Sequence, residues 1–140
     1  MLQSLPMPKD IFTNADRIHA GVCLDHIGIK DCFEDIISFD CIVDQARAMA
    51  PPGASKKDLM AGVFCKPDLR SFEYALKRVG AEAATTMFLD DSVANIKAAK
   101  AAGLQTVLVG RKDLCEGADF AIENFLQLRE AAPHLWHSEE

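Results

Sequence analysis

The fold is decided by residues 87–110, which read MFLDDSVANIKAAKAAGLQTVLVG. Residues 87–89 predict a buried strand that ends abruptly at two aspartates. From about 92 to 102 the apolar positions have helical spacing, and Gly103 ends the helix. Residues 106–109 predict a second strand of the parallel type. A strand, a helix and a strand in this order are typical of an α/β domain.

The alternation of strands and helices continues on both sides of this segment. Apolar runs and helical spacing predict further strands at 11–12, 36–39 and 120–122 and further helices at 16–27, 66–79 and 124–132. Residues 1–10, with two prolines, are predicted to be a linker-like start, and residues 44–62, with Pro51-Pro52-Gly53, an irregular loop. Residues 1–140 are therefore expected to form one domain, a mostly parallel sheet flanked by helices.

Composition narrows the range of functions. The hydrophobic fraction of 49% suits a chain that buries a core, which argues against disorder. The net charge of −6 argues against binding to nucleic acid or to an anionic membrane, and no apolar run approaches the ~18 residues of a membrane span. Five cysteines without a C-x-x-C spacing indicate neither a zinc site nor a disulfide framework. A reduced, cytoplasmic protein is expected.

Polar residues follow two of the predicted strands. Thr13 and Asn14 come after the strand at 11–12, and Asp90 and Asp91 come after the first quoted strand. In open α/β sheets, ligands bind beyond the carboxyl ends of the strands. Two adjacent carboxylates repel each other, and a hard cation such as Mg²⁺ relieves this repulsion. The alternative is that both aspartates only cap the helix that follows and favour its dipole.

Lys66 is a further candidate. It follows a short apolar stretch and precedes Pro67, which restricts its backbone to extended geometry. A lysine held in this way can direct its charge at a phosphoryl group, whereas a lone lysine is usually solvated. Thr13 alone is likewise more often an ordinary strand-end residue. Together, a hydroxyl, an ammonium and a carboxylate pair at successive strand ends predict a phosphate and Mg²⁺ site, with Thr13, Lys66 and Asp91 converging on one rim.

These motifs resemble those of a known family. Thr13, Lys66 and residues 88–92 are similar to motifs II, III and IV of the haloacid dehalogenase-like (HAD) hydrolases, in the same order. Residues 86–110 and 128–136 resemble the pyrimidine 5′-nucleotidase-like subfamily, and the resemblance covers nearly the whole chain. It implies an HAD-like (Rossmannoid) three-layer sandwich. It also implies Mg²⁺-dependent hydrolysis of a nucleoside monophosphate through an aspartyl-phosphate.

The resemblance implies a role for each candidate residue. The threonine binds the transferred phosphoryl group, the lysine offsets negative charge, and the acidic pair holds Mg²⁺. Carried over by position, these roles fall to the following residues: Thr13 and Lys66 in catalysis; Thr13, Asn14 and Lys66 in phosphate binding; Asp91, with Asp90 beside it, in metal binding; Ser92 and Asn95 in support of the metal ligands.

One motif of the family is absent from this chain. HAD phosphatases attack phosphorus with the first aspartate of a D-x-D pair, and no two acidic residues here are separated by a single residue. Residues 1–11 leave no room for the central strand that carries the pair, or for the cap domain. The chain is therefore expected to be the C-terminal part of a nucleotidase and to lack turnover on its own. The alternative is a non-catalytic phosphate- and Mg²⁺-binding remnant, or a truncated isoform that acts through a partner.

The missing strand has a structural consequence. The two strands that would flank it present unpaired backbone N–H and C=O groups, which is a liability in any sheet. Reduced stability and self-association through these strands are expected. Because the cap selects the substrate in this family, no base preference is predicted.

Other site chemistries fit the sequence less well. A receiver-type phosphoacceptor domain has its acidic pair first and its lysine last, whereas here the acidic pair comes last. Cys41 and Arg47 have the C-x₅-R spacing of cysteine-dependent phosphatases, but no glycine lies between them, so the match is interpreted as chance. His19 and His26, on the predicted helix at 16–27, are interpreted as partly exposed residues and not as ligands.

Overall fold

The computed structural model describes residues 1–137. Contacts divide the chain into two compact units, one of residues 8–65 and the other of residues 1–7 together with those from 66 onward. Each unit contains its own parallel sheet. Among the described residues, none of the helices has both the length and the apolar character that a membrane crossing requires. The single partial core domain over 1–140 and the cytoplasmic location remain predictions.

The unit of residues 8–65 is built on a two-stranded parallel sheet. β1 (Ile11–Phe12) pairs with β2 (Ile36–Ile37). Between them lies α1 (Arg17–His26), which begins after Asp16 because the carboxylate of this residue accepts a backbone N–H of the first turn. The predicted first strand and the helix after it are therefore confirmed.

Two helices occupy much of the segment that was predicted to be an irregular loop. These are α2 (Phe39–Met49) and α3 (Lys56–Ala61), so the prediction for 44–62 is wrong. Ser55 and Asp58 form a capping box that fixes the start of α3, and the Pro-Pro-Gly run only separates the two helices. The strand predicted at 36–39 is also two residues too long, because α2 begins where the strand was expected to continue.

The second unit includes α4 (Leu69–Val79), which ends at Gly80 in the left-handed conformation. The helix starts later than predicted. The carboxylate of Asp68 accepts the N–H of Arg70 and caps the helix, so Pro67 lies before the first turn and not within it.

A three-stranded parallel sheet forms the centre of this unit. Its strands are β3 (Met87–Asp90), β4 (Gln105–Val109) and β5 (Phe120–Ile122), in that spatial order. α5 (Val93–Ala101) connects β3 to β4 and packs on both. The strand–helix–strand prediction for residues 87–110 is confirmed.

The last helix is shorter than predicted. A 3₁₀ turn (Phe125–Gln127) leads into α6 (Leu128–Ala131), and a second 3₁₀ turn (Pro133–Trp136) follows. The side chain of Asn124 accepts the N–H of Leu126 and stabilises the tight geometry of the first turn. The helix predicted for 124–132 is therefore divided between a 3₁₀ turn and one α-helical turn.

Residues 1–7 are part of the second unit, so the prediction of a linker-like start is wrong for them. Leu5 is 8% exposed and packs with buried residues of the sheet and of the C-terminal turns: Val107, Ile122, Leu128 and Ala132. Nε1 of Trp136 donates a hydrogen bond to Oγ of Ser4 at 3.0 Å. Burial of the apolar side chains of this segment outweighs the restriction that its one proline, Pro6, places on the backbone.

Both sheets have open edges in the part of the chain that the structure describes. β3 is hydrogen-bonded to β4 alone, and β1 to β2 alone. Open edges are sites where another strand can pair. Self-association through these edges remains a prediction.

Candidate functional site

Lys66 and Asp90 form a buried ion pair in the second unit. Lys66 lies shortly before α4, and Asp90 is the last residue of β3. Nζ of Lys66 donates to Oδ2 of Asp90 at 2.9 Å, and the two side chains are only 7% and 10% exposed. The structure thus places a cation and a carboxylate together at the carboxyl end of a parallel strand.

An aromatic pair supports the lysine. Nζ of Lys66 lies 5.2 Å from the centre of the Phe88 ring, within the range of a cation–π interaction. The Phe88 ring meets that of Phe72 edge to face at 5.1 Å, and Phe72 is 1% exposed within α4. The ammonium of Lys66 is therefore held between the Asp90 carboxylate and the Phe88 ring, and Phe72 packs against that ring.

Asp90 accepts further hydrogen bonds from the start of α5. The backbone N–H of Ser92 donates to Oδ1 at 2.8 Å, and Nδ2 of Asn95 donates to Oδ2 at 3.2 Å. Burial alone would raise the pKa of Asp90, but these hydrogen bonds and the charge of Lys66 outweigh it and hold the pKa below its usual value. Asp90 is consequently a fixed negative charge at neutral pH.

Asp91 has a different environment from its neighbour. It lies between β3 and the N-cap of α5, where the side chain of Ser92 accepts the N–H of Asn95 at 3.3 Å. Asp91 is exposed, and its carboxylate makes no hydrogen bond or ion pair with residues 1–137. Of the two adjacent carboxylates, Asp91 is therefore the one without a partner among residues 1–137.

The predicted metal site fits Mg²⁺ in part. No three His, Cys, Asp or Glu side chains among residues 1–137 come close enough together to hold a metal ion. However, Mg²⁺ commonly uses one or two carboxylates and takes its remaining ligands from water and phosphate oxygens. The free carboxylate of Asp91 beside the engaged carboxylate of Asp90 suits such an open site.

Thr13 and Asn14 belong to the other unit, at the carboxyl end of β1. The N–H of Thr13 donates to the carbonyl of Ile37 at 2.9 Å, which continues the β1–β2 pairing by one residue. The hydroxyl oxygen accepts the N–H of Ala15 at 3.1 Å. Because the oxygen is used as an acceptor, the O–H is oriented to donate elsewhere.

The structure brings together Lys66, Asp90, Ser92 and Asn95. Ser92 and Asn95 were expected to support the metal ligands, and here they both bind Asp90. The direct pairing of Lys66 with Asp90 was not predicted. From the sequence, Lys66 was expected to bind phosphate and Asp90 to bind the metal ion. Phe72 and Phe88 were not foreseen as supports either; their spacing indicated only a core.

A family model for haloacid dehalogenase-like hydrolases matches residues 11–103. The chain belongs to this family. The match contains Thr13, Lys66 and Asp90, and it spans residues of both compact units.

Two curated relatives match shorter segments of this HAD chain. A sesquiterpene phosphatase of Aspergillus oryzae is 41% identical over 54 residues, which cover 34% of this chain and 28% of the relative. Acyl-CoA dehydrogenase family member 10 of Mus musculus is 39% identical over 50 residues, which cover 36% of this chain and 5% of the relative. The chain thus spans less than a third of either relative.

Solved structures confirm the HAD-like α/β fold. A HAD hydrolase of Bacillus subtilis bound to magnesium has a TM-score of 0.69 at 22% identity, covering 91% of this chain and 49% of that one. L-2-haloacid dehalogenase of Xanthobacter autotrophicus has a TM-score of 0.68 at 16% identity, covering 92% of this chain and 56% of that one. A HAD phosphatase of Thermococcus onnurineus has a TM-score of 0.66 at 22% identity, covering 92% and 52%. The chain spans about half the length of these structures.

Proposed function

We propose that this chain carries phosphate- and metal-binding residues of a Mg²⁺-dependent phosphomonoester hydrolase that acts on nucleoside monophosphates. The observation that carries the proposal is the buried ion pair of Lys66 and Asp90 beside the free carboxylate of Asp91. A buried charge pair is costly to maintain for stability alone, and this cost supports a functional role for the pair.

Lys66 supplies the positive charge in this proposal. Its position is set by Asp90 and the Phe88 ring, so the ammonium loses little further freedom when an anion arrives. Asp90 stays ionised because of its lowered pKa and therefore gives the lysine a permanent negative partner. Lys66 would thereby stabilise charge on a transferred phosphoryl group.

Asp91 would hold the metal, and Thr13 would donate its O–H to a phosphoryl oxygen. When bound, Mg²⁺ would neutralise part of the charge on the phosphate. Asn14, next to Thr13 at the end of β1, is proposed to add donors to the same anion. These roles follow the order of the family's motifs and the hydrogen-bonding state of each side chain.

The 140-residue chain is proposed to bind substrate without hydrolysing it. Its sequence contains no D-x-D pair that could supply the attacking aspartate and the acid. Loss of a covalent nucleophile lowers the rate of unrelated hydrolases by many orders of magnitude. The non-catalytic alternative, a phosphate- and Mg²⁺-binding remnant that acts through a partner, shares this expectation for the isolated chain.

A second substrate class is favoured by one comparison. The match to a fungal sesquiterpene phosphatase supports a prenyl or terpenoid monophosphate as the alternative to a nucleotide. The two classes share the phosphomonoester and differ in the leaving group. Binding of UMP and of farnesyl monophosphate therefore distinguishes between them.

Calorimetric titration of the 140-residue chain with UMP, with and without Mg²⁺, tests the proposal. At a temperature where circular dichroism shows both variants to be folded, we expect Mg²⁺-dependent binding that weakens roughly tenfold or more in Asp91→Asn and in Lys66→Met. Asp113→Asn and Lys77→Met, which change exposed residues of the same unit, serve as matched controls and should bind normally. Unchanged binding of UMP in Asp91→Asn and Lys66→Met contradicts the assignment. A parent chain that binds neither UMP nor farnesyl monophosphate contradicts it as well. Phosphate release on the order of 1 per second by the chain alone contradicts its proposed inactivity.

A further inference from the structure

The exposed side of α1 carries a histidine and a cysteine in direct proximity. Nε2 of His19 lies 3.7 Å from Sγ of Cys23, one helical turn later, and both residues are exposed. We propose that His19 and Cys23 form half of a site for a borderline-soft metal ion such as Zn²⁺, and that a second copy of this chain supplies the other half. This inference is independent of the proposed phosphatase function.

The distance between the two atoms suits one tetrahedral metal ion. With Zn–S of about 2.3 Å, Zn–N of about 2.0–2.1 Å and an angle of about 109°, sulfur and nitrogen are about 3.6 Å apart. The observed separation of 3.7 Å is close to this value. Both ligands also lie on a ten-residue helix whose start is fixed by Asp16, so their backbone positions are set before a metal binds. Binding releases the thiol proton to solvent.

Two ligands leave a structural zinc site incomplete. Such sites are almost always four-coordinate, and Cys₂His₂ is a common ligand set. Within residues 1–137 no third His, Cys, Asp or Glu side chain joins His19 and Cys23 to form a metal-binding group. A second copy related by a twofold axis would add the same two ligands and complete a Cys₂His₂ set.

Apolar side chains beside the pair favour a second protein chain over water as the remaining partner. Ile18 is 81% exposed and Val22 is 62% exposed, although both are large and apolar. At about 100° per residue Val22 lies about 60° and Ile18 about 100° from His19 around the axis of α1, both on the side away from the buried Leu24. A twofold contact centred on the metal would cover these side chains with their own equivalents, which stabilises the dimer.

The chemistry of the pair separates it from the Mg²⁺ site. Thiolate and imidazole favour Zn²⁺ and Co²⁺, whereas Mg²⁺ requires oxygen ligands such as the carboxylate of Asp91. Zn²⁺ or Co²⁺ binding at α1 and Mg²⁺ binding at the end of β3 can therefore be measured separately in one protein.

Titration with Co²⁺ under reducing conditions tests the ligands. We expect thiolate-to-metal charge transfer and tetrahedral visible bands that saturate at one ion per two chains and disappear on addition of Zn²⁺. Cys23→Ser should abolish the charge-transfer band, and His19→Gln should weaken binding roughly tenfold or more. Cys115→Ser and His26→Gln are the matched controls and should behave like the parent protein. Bands that are unaffected by Cys23→Ser, or that depend on Cys115, overturn the site.

Sedimentation equilibrium tests the second copy. Zn²⁺ should raise the mass from 15.3 kDa to about twice that value, and EDTA should reverse the change. Ile18→Lys should weaken the Zn²⁺-linked dimer roughly tenfold or more, since it places a charge in the contact. One Zn²⁺ per chain with no increase in mass overturns the bridging arrangement. A dimer that survives EDTA but dissociates on reduction is held by a disulfide bond, and this result also overturns the bridging arrangement.

Discussion

Replacement of Lys66 by methionine is expected to destabilise the second unit strongly. Methionine keeps an unbranched side chain of similar reach but leaves the Asp90 carboxylate without its cation. With side-chain exposures of 7% and 10%, water cannot take the place of the ammonium without rearrangement. Removing one member of a buried pair costs about 3–5 kcal/mol. Because Ser92 and Asn95 still donate to Asp90, we expect a loss near the lower end, about 3 kcal/mol.

A double-mutant cycle with Asp90→Asn isolates the pair. The double variant removes both charges, so its loss should be smaller than the sum of the single losses by more than about 1 kcal/mol. Urea unfolding followed by the fluorescence of Trp136, the only tryptophan, reports on the unit that contains the pair. Lys97→Met is the matched control, since Lys97 pairs with Glu116 at 3.3 Å in the same unit but both are exposed, and it should cost less than about 1 kcal/mol. Equal losses in Lys66→Met and Lys97→Met, or additivity within about 0.5 kcal/mol, would refute the reasoning.

Three further results are expected. The pKa of Asp90 is lowered on folding, so the unfolded state binds more protons in acid. Its stabilisation is then present above about pH 4 and is lost as the pH falls through the lower folded-state pKa. In acid titrations followed by circular dichroism, Asp90→Asn should therefore lose less stability below about pH 4 than the parent protein; an identical loss contradicts the assignment. Ser92→Ala removes the N-cap of α5 and should cost about 1 kcal/mol in urea unfolding, whereas Ser92→Asp should retain most of the stability. Phe72→Ala should cost about 3–5 kcal/mol in the same assay, because the ring is 1% exposed and packs on Phe88; a loss below about 1 kcal/mol would show that this contact is not structural.

The strand–helix–strand segment was predictable because its signals are local. Residues 87–110 combine a buried apolar run, helical spacing and a terminating glycine, and each of these acts over a few residues. The pairing of Lys66 with Asp90 has no such signal. The two residues are 24 positions apart, and nothing in the sequence distinguishes Asp90 from Asp91 as the partner of the lysine.

The errors at 44–62 and 1–7 have a common origin. Prolines were taken as evidence for irregular structure over a whole segment, although each acts only on its neighbours. The capping box of Ser55 and Asp58 was visible in the sequence and marks the start of α3. Burial of Leu5 depends on residues more than a hundred positions later, and no local pattern predicts it.

The pair of His19 and Cys23 was available from spacing but was not recognised. The spacing of His19 and Cys23, one helical turn apart, differs from the C-x-x-C spacing of common zinc sites. The helix itself was predicted correctly, so placing the cysteines on it would have found the pair. The exposure of His19 was predicted, whereas the exposure of the apolar Ile18 and Val22 beside it is known only from the structure.

Paramagnetic mapping tests the proposed metal-binding role of Asp91 most directly. Mn²⁺ accepts the same oxygen ligands as Mg²⁺ and broadens the amide NMR signals of residues close to it. Trace Mn²⁺ is expected to broaden the signals of residues 90–92 first, and excess Mg²⁺ is expected to restore them. Broadening that starts elsewhere on the acidic surface, or that persists unchanged in Asp91→Asn, would contradict it.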